Sequence, residues 1–113
     1  INIRQATYLA MRRAVAKIKS ADFVLVDAWE IPELSLAQDN IIKGDTKVFS
    51  IAAASIMAKV TRDWIMEEYA VRYPEYLFAQ HKGYGTKAHR EAISKHGACS
   101  IHRKTYKIFR DQY

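Results

Sequence analysis

The chain reads as an α/β fold with parallel strands, and three observations lead there. Phe23-Val24-Leu25-Val26 is a continuous apolar run closed by Asp27, the pattern of a strand covered on both faces. A segment of helical periodicity precedes it, and a second short run, Asn40-Ile41-Ile42, follows it. That second run leaves through Lys43-Gly44-Asp45-Thr46-Lys47 into a long stretch of helix formers. A carboxylate at the end of a strand, beside a helix, sits where open α/β sheets place their sites.

Composition bounds the reading. A chain of 113 residues is long enough for one domain with one modest core, and we expect residues 1–113 to form a single domain. Half of the residues are hydrophobic, which favours a folded chain over a disordered one. Lys and Arg outnumber Asp and Glu by 18 to 12 and the pI is about 9.5, a balance that suits a polyanionic partner such as nucleic acid or a merely basic soluble protein. Cys99 is the only cysteine, so no internal disulfide and no CxxC metal pattern exists. A reducing, cytoplasmic compartment follows as the simplest expectation, with Cys99 structural. No apolar run of about 18 residues and no signal-peptide pattern is present, so no membrane partner is expected. The first residue is Ile1 rather than Met, which fits a fragment or a processed chain.

Taken in order, residues 2–19 carry Ile3, Ala6, Leu9, Ala10, Ala14, Val15 and Ile18 near helical spacing. Arg4, Arg12, Arg13 and Lys17 then form a solvated basic side. The strand at 23–26 follows. Residues 28–39, with Pro32 and many polar side chains, form a connection of no definite shape. Asn40-Ile41-Ile42 is the second strand, and Gly44 allows a tight turn where Asp45 must project.

A helix is expected from Phe49 or Ser50 to about Arg72, entered with help from Ser50 or Thr46. Its apolar side comprises Ile51, Ala54, Ala58, Ile65 and Tyr69, widened by Ile56, Val60 and Trp64. Four alanines, Ala52, Ala53, Ala54 and Ala58, let it lie close on what it covers. Glu68 and Arg72 form an i,i+4 pair, and Pro74 stops the helix by pushing Tyr73 out of helical geometry. From Tyr73 to Gly85 the chain reads as loop. Thr86 caps a helix running to about His96, with Gly97 as its stop and Ala88, Ala92 and Ile93 as its apolar positions. Residues 98–113 are read as a short helix or an arm.

Asp27 and Asp45 are the central chemical candidates. Each ends an apolar strand-like run, and parallel strands bring such ends together. Two carboxylates about 4 Å apart repel by roughly 4 kcal/mol at an effective dielectric near 20. Such a pair needs a proton, a base or a cation, and oxygen ligands suit Mg²⁺ or Mn²⁺. The competing reading is that Asp27 starts a turn and Asp45 caps a helix. Tyr84, flanked by Gly83 and Gly85, either stacks on a sugar or base or packs on its own domain. Lys43, Lys47, Lys59, Arg62, Lys82, His102 and Arg103 are phosphate contacts or solvated charges. Ser50 and Ser55 have no evident His/Asp partners. His81, His89, His96 and His102 lack zinc spacing, leaving His81 as a loop-stabilising or substrate-adjacent group.

KGDTKVFSIAAASIMAKVTRD at 43–63 closely resembles the central signature of ribonuclease HII, the bacterial type 2 ribonuclease H. LVDA at 25–28, HKGYGT at 81–86 and IHRKTY at 101–106 agree with it, in order and compatibly spaced, over about Ile1 to Phe109. The resemblance is to the C-terminal portion of that family, whose N-terminal Asp-Glu pair and Gly-Arg-Gly loop have no counterpart in these residues. It implies a ribonuclease H-like fold, represented by its C-terminal part. It also implies an endonuclease acting on RNA–DNA hybrids and on DNA containing ribonucleotides. In the family, four acidic residues use divalent metal, Mn²⁺ or Mg²⁺, to activate a water and assist the leaving 3′-oxygen. Asp27 and Asp45 match two of those acids, and Tyr84 matches the tyrosine that senses the 2′-hydroxyl at the RNA–DNA junction. Because half of the acidic set is unmatched, the alternative expectation is a basic fragment that binds nucleic acid without cutting it. Protein partners are not indicated.

Overall fold

The computed structural model describes residues 2–110, the side chain of Arg110 excepted. It divides into two compact units, Ile1–Met57 and Ala58–Tyr113. The architecture is mixed, helices with a two-stranded parallel sheet, as expected of the α/β class. Among the described residues no helix is long and apolar enough to cross a membrane.

In the first unit, α1 spans Ile3–Ala16. Asn2 caps it, its Oδ1 accepting the Gln5 N–H at 3.0 Å. The helix stops short of the expected residue 19 because the Lys17 N–H turns back to Ala14 and Val15, leaving Ile18 exposed beyond the end. Its basic side is not merely solvated. The Arg12 guanidinium donates to the Pro32 carbonyl at 2.9 Å and lies 3.4 Å from Glu33, and Arg4 sits 5.4 Å from the Trp29 ring centroid. Two arginines thus tie the connection after the first strand to α1.

Strands β1 (Phe23–Asp27) and β2 (Ala37–Ile41) pair in parallel, with Phe23 opposite Ala37 and Asp27 opposite Ile41. The second strand begins three residues before the expected Asn40, and its cause is a side chain. The Gln38 amide accepts from the Ile31 N–H and donates to the Ile31 carbonyl, both at 2.8 Å. This clamp buries Ile31 and gives the 28–39 connection a definite shape. In β1 only Val26 is buried; Phe23 and Leu25 are exposed, so the strand has one covered face rather than two.

After β2 come a short helix, α2 (Gly44–Lys47), and the long helix α3 (Phe49–Arg72). The left-handed residue of this turn is Lys43, at φ 54°, not Gly44. Gly44 is closely packed: a Cβ there would lie 2.8 Å from Ile51 Cδ1, so the end of that side chain would have to shift, and 3.6 Å from the Asp27 Cα, an ordinary contact. The bounds of α3 are those expected, and Tyr73 at ψ 66° marks the exit before Pro74. Its apolar stripe is narrower than expected. Ile51 and Met66 are buried, whereas Ile56, Val60, Trp64, Ile65 and the alanines Ala53, Ala54 and Ala58 are exposed. Glu68 and Arg72 do not pair; the i,i+4 ion pairs among the described residues are Lys59–Asp63 and Lys87–Glu91.

The second unit is built on an aromatic core of Met66, Tyr76, Phe78, Ala92, Ile93 and Phe109. The segment expected as loop contains a 3₁₀ turn (Pro74–Tyr76) and α4 (Phe78–His81). Burial explains them: Phe78 is 1% exposed and stacks on Tyr76, ring centroids 5.4 Å apart. Rings of that size repay the ordering of the segment that carries them. The Tyr76 hydroxyl donates to the Gly97 carbonyl at 2.9 Å, and burial pushes its pKa up. Helix α5 (Lys87–His96) begins and ends as expected, with Thr86 Oγ1 accepting from the His89 N–H and Gly97 at φ 76°. Helix α6 spans Lys107–Arg110, and residues 111–113 of the expected helix or arm lie outside the described residues.

Phe78→Ala is expected to cost about 3–5 kcal/mol, and Thr86→Ala about 0.5–2 kcal/mol. Urea unfolding followed by circular dichroism measures both. A Phe78→Ala loss no larger than that of Thr86→Ala would contradict the placement of the core.

Candidate functional site

The first unit brings the end of β1 to the start of α2. Asp27 Oδ1 accepts the Gly44 N–H at 2.8 Å, and Gly44 is the residue before Asp45. Asp27 closes its strand, and Asp45 stands in the first turn of α2, a position favourable to a carboxylate. Both aspartates are exposed, and among the described residues neither has a cationic partner within 4.0 Å. Among the described residues no group of three or more His, Cys, Asp or Glu is arranged to hold a metal ion. The donor set is nonetheless the right kind: hard carboxylate oxygens, with Asp27 oriented by a backbone hydrogen bond. Mg²⁺ commonly uses one or two carboxylates together with substrate phosphates. Lys43 and Lys47 flank Asp45 on the same turn, and both are exposed.

The second unit organises the Tyr84 loop. Lys82 at φ 50° and Gly83 at φ 83° reverse the chain after α4. A Cβ on Gly83 would meet Met66 Cε at 3.1 Å and Arg62 Nη2 at 3.3 Å, so close packing and backbone conformation both call for glycine. Arg62 Nη2 donates to the Lys82 carbonyl at 3.2 Å, and the guanidinium lies 5.4 Å from the Tyr84 ring centroid. Lys82 is paired with Glu67 at 2.6 Å. Lys59 is paired with Asp63 at 2.9 Å, and that hydrogen bond holds the lysine pKa up. The Tyr84 ring is 58% exposed and therefore available to a partner.

Three histidines support this loop from within. His81 Nε2 lies 2.6 Å from the Tyr76 carbonyl, while its Nδ1 accepts the Gly83 N–H at 3.1 Å. His89 Nδ1 lies 2.8 Å from the Tyr84 carbonyl, and its Nε2 is 3.1 Å from His102 Nε2. His102 Nδ1 accepts the Cys99 N–H at 3.0 Å and lies 3.0 Å from Cys99 Sγ. Burial pulls the pKa of His81 and of His102 below the ordinary value, and the neighbouring His89 adds to the effect. His102, read from sequence as a phosphate contact, spends both ring nitrogens inside the protein. Arg103 is exposed, its guanidinium 5.6 Å from the Tyr106 ring centroid. A cavity of about 530 Å³ in this unit is lined by Met66, Ile93 and Phe109 and by Arg62, Arg90 and Arg103.

His89, weighed from sequence only as a zinc ligand, is the residue whose place behind the loop was missed. Its signal was helical spacing: His89 lies three and four residues before Ala92 and Ile93 and so shares their buried face.

The family model described as Ribonuclease HII matches residues 1–109. The chain is 58% identical over 106 residues to Ribonuclease HII of Clostridioides difficile (strain 630), covering 93% of this chain and 42% of that protein. It is 55% identical over 107 residues to Ribonuclease HII of Caldanaerobacter subterraneus subsp. tengcongensis, covering 94% of this chain and 44% of the relative. The Endomicrobium trichonymphae Ribonuclease HII is 55% identical over 113 residues, with 98% and 54% covered. The chain therefore spans about half the length of the curated relatives it matches.

Histidines held neutral on folding make stability fall in acid. The unfolded rings titrate at 6.5 and the folded rings of His81 and His102 lower, so their contribution is complete above pH 6.5 and is lost as pH drops through the folded values. The melting temperature is expected to decline as the pH falls below 6.5. His102→Gln, which keeps a donor at the ε position and cannot titrate, should flatten part of that slope. Equal slopes for the two proteins in thermal melts would contradict this account.

Proposed function

This chain belongs to the ribonuclease HII family, and on that premise we propose that the whole protein is a metal-dependent endonuclease. It hydrolyses the RNA strand of RNA–DNA hybrids and nicks duplex DNA on the 5′ side of an embedded ribonucleotide. The observation that carries this reading is the bond from the Gly44 N–H to Asp27, which draws the strand end toward the residue before Asp45.

Asp27 and Asp45 are the groups that would hold Mg²⁺ or Mn²⁺, both hard cations that favour carboxylate oxygen. When bound, such a cation supplies Lewis-acid stabilisation of charge on the scissile phosphate. The reaction is attack of water on phosphorus with cleavage of the bond to the 3′-oxygen. That oxygen takes up a proton, and the products are a 5′-phosphate and a 3′-hydroxyl. Lys43 and Lys47 are exposed beside Asp45 and suit phosphates near the break; Lys59, Arg62, Lys82 and Arg103 suit phosphates near the Tyr84 loop. His102 contributes by supporting that loop. The Tyr84 face stacks on the sugar at the junction, where a 2′-hydroxyl distinguishes RNA from DNA. Removal of ribonucleotides from cytoplasmic DNA is the role that follows.

A second reading applies to residues 1–113 taken alone. The described residues contain no group of three or more ligating side chains poised for a metal, which favours nucleic-acid binding without cleavage for this segment.

In the protein at its full natural length, Asp45→Asn is expected to lower nicking of a duplex carrying one ribonucleotide by more than about 100-fold, beyond the roughly 10–100-fold typical of losing a supporting residue. Binding of the same duplex, followed by fluorescence anisotropy, should change little. Unchanged nicking in that variant would end the proposed role of Asp45. A polypeptide of residues 1–113 is expected to bind the duplex and leave it intact; metal-dependent cutting by that polypeptide would refute the second reading.

A further inference from the structure

The histidines behind the Tyr84 loop form a chain whose protons can be assigned without ambiguity. One end is the Tyr84 carbonyl, which only accepts, so His89 Nδ1 carries a proton. The other end is the Cys99 N–H, which only donates, so His102 Nδ1 is bare. Between them the two Nε2 atoms lie 3.1 Å apart, and one proton must lie between them. With both rings neutral, His102 Nε2–H donates to His89 Nε2, and each ring holds one proton. The Cys99 Sγ also lies 3.0 Å from His102 Nδ1, where it shares the one lone pair that accepts the Cys99 N–H.

His81 completes the device. Its ring stacks on His89, centroids 4.2 Å apart and planes 13° from parallel. It donates from Nε2 to the Tyr76 carbonyl and accepts the Gly83 N–H on Nδ1. Two stacked imidazoles thus hold both ends of the Gly83-Tyr84 dipeptide, one at its N–H and the other at its C=O. The Tyr84 N–H and the Thr86 N–H add bonds to the His81 and Tyr84 carbonyls, at 2.9 and 2.8 Å.

We propose that His81 and His89 are positioning residues that fix the Tyr84 ring for recognition of the ribonucleotide, and that His102 keeps this clamp in its working protonation state. The inference rests on the reading of Tyr84 as the junction-sensing residue. A further proton on either ring of the His89–His102 pair sets two donors face to face or opposes the Cys99 N–H. Acid therefore opens the clamp. The other groups facing it are the Tyr76 phenol, whose ring lies 4.9 Å from that of His102, and Arg62, Arg90 and Arg103 around the adjoining cavity.

Asn and Gln separate the two ring nitrogens, because the Asn amide reaches where Nδ1 stood and the Gln amide where Nε2 stood. In the protein at its full natural length, His89→Gln is expected to reduce nicking at a single embedded ribonucleotide by about tenfold, the scale of one hydrogen bond. His89→Asn should recover most of that loss. Tyr84→Ala should reduce nicking as well, and the double variant with His89→Gln should be no worse than Tyr84→Ala, because both act through one ring. Full additivity, or equal losses for Asn and Gln, would overturn the proposal while leaving the role of Tyr84 intact. An inert Tyr84→Ala would instead remove the reading on which the clamp depends, and the clamp with it. Long-range ¹H–¹⁵N spectra of the unaltered protein test the proton assignment independently of any variant's folding. The expected tautomers are Nδ1–H for His89 and Nε2–H for His81 and His102; the opposite tautomer at His89 refutes the clamp.

Discussion

The first unit depends on one backbone-to-carboxylate hydrogen bond, from the Gly44 N–H to Asp27 Oδ1. It joins the last residue of β1 directly to the first turn of α2, beyond the strand pairing of Asp27 with Ile41 and the Ala28 N–H bond to the Ile41 carbonyl. The backbone approaches closely there: a Cβ on residue 44 would press on Ile51 Cδ1 at 2.8 Å and touch the Ile41 Cβ at 3.4 Å. Lys43 adopts the left-handed conformation instead, a cost of roughly 1–2 kcal/mol for a residue with a Cβ. The segment therefore accepts strain at Lys43 so that glycine can stand where the backbone comes closest. Such local strain is commonly found where side chains must be aimed.

The second unit follows a different rule. Its core contains buried histidines next to Tyr76 and Phe78, and these rings share the space with Met66, Ala92 and Ile93. A buried imidazole is tolerable only when both nitrogens are satisfied and the ring is neutral. No buried side-chain nitrogen or oxygen among the described residues lacks a partner. The polar core thereby transmits order from the 97–103 turn to the Tyr84 loop, whose side chain remains exposed.

Elements set by nearby residues were legible in the sequence. Thr86 and Gly97 bound α5, and Pro74 stops α3, because caps and proline act within a turn or two. What escaped depends on distant partners. Strand β2 starts early because Gln38 holds the backbone of Ile31; Arg12 is drawn partly out of solvent by Pro32 and Glu33, and Arg4, still exposed, lies beside the Trp29 ring. The helical turns at 74–81 form because Tyr76 and Phe78 find a core, which local composition does not reveal. Asp27 and Asp45 were legible as candidates because each closes an apolar run. The histidine chain was not, since its logic needs three segments in contact.

Arg62 shows why a basic residue in such a loop need not choose between structure and substrate. A guanidinium has five N–H donors in a plane, and one of them goes to the Lys82 carbonyl. Its interaction with Tyr84 uses the charge near the ring face and consumes no donor. The remaining edge can meet a phosphate without releasing the loop. Lysine has no planar face and concentrates its charge at one point, so Lys82, already paired with Glu67, must weaken that pair to reach a phosphate. On the proposal that this loop meets nucleic acid, the arginine is the one of the two whose geometry suits holding Tyr84 and contacting a phosphate at once.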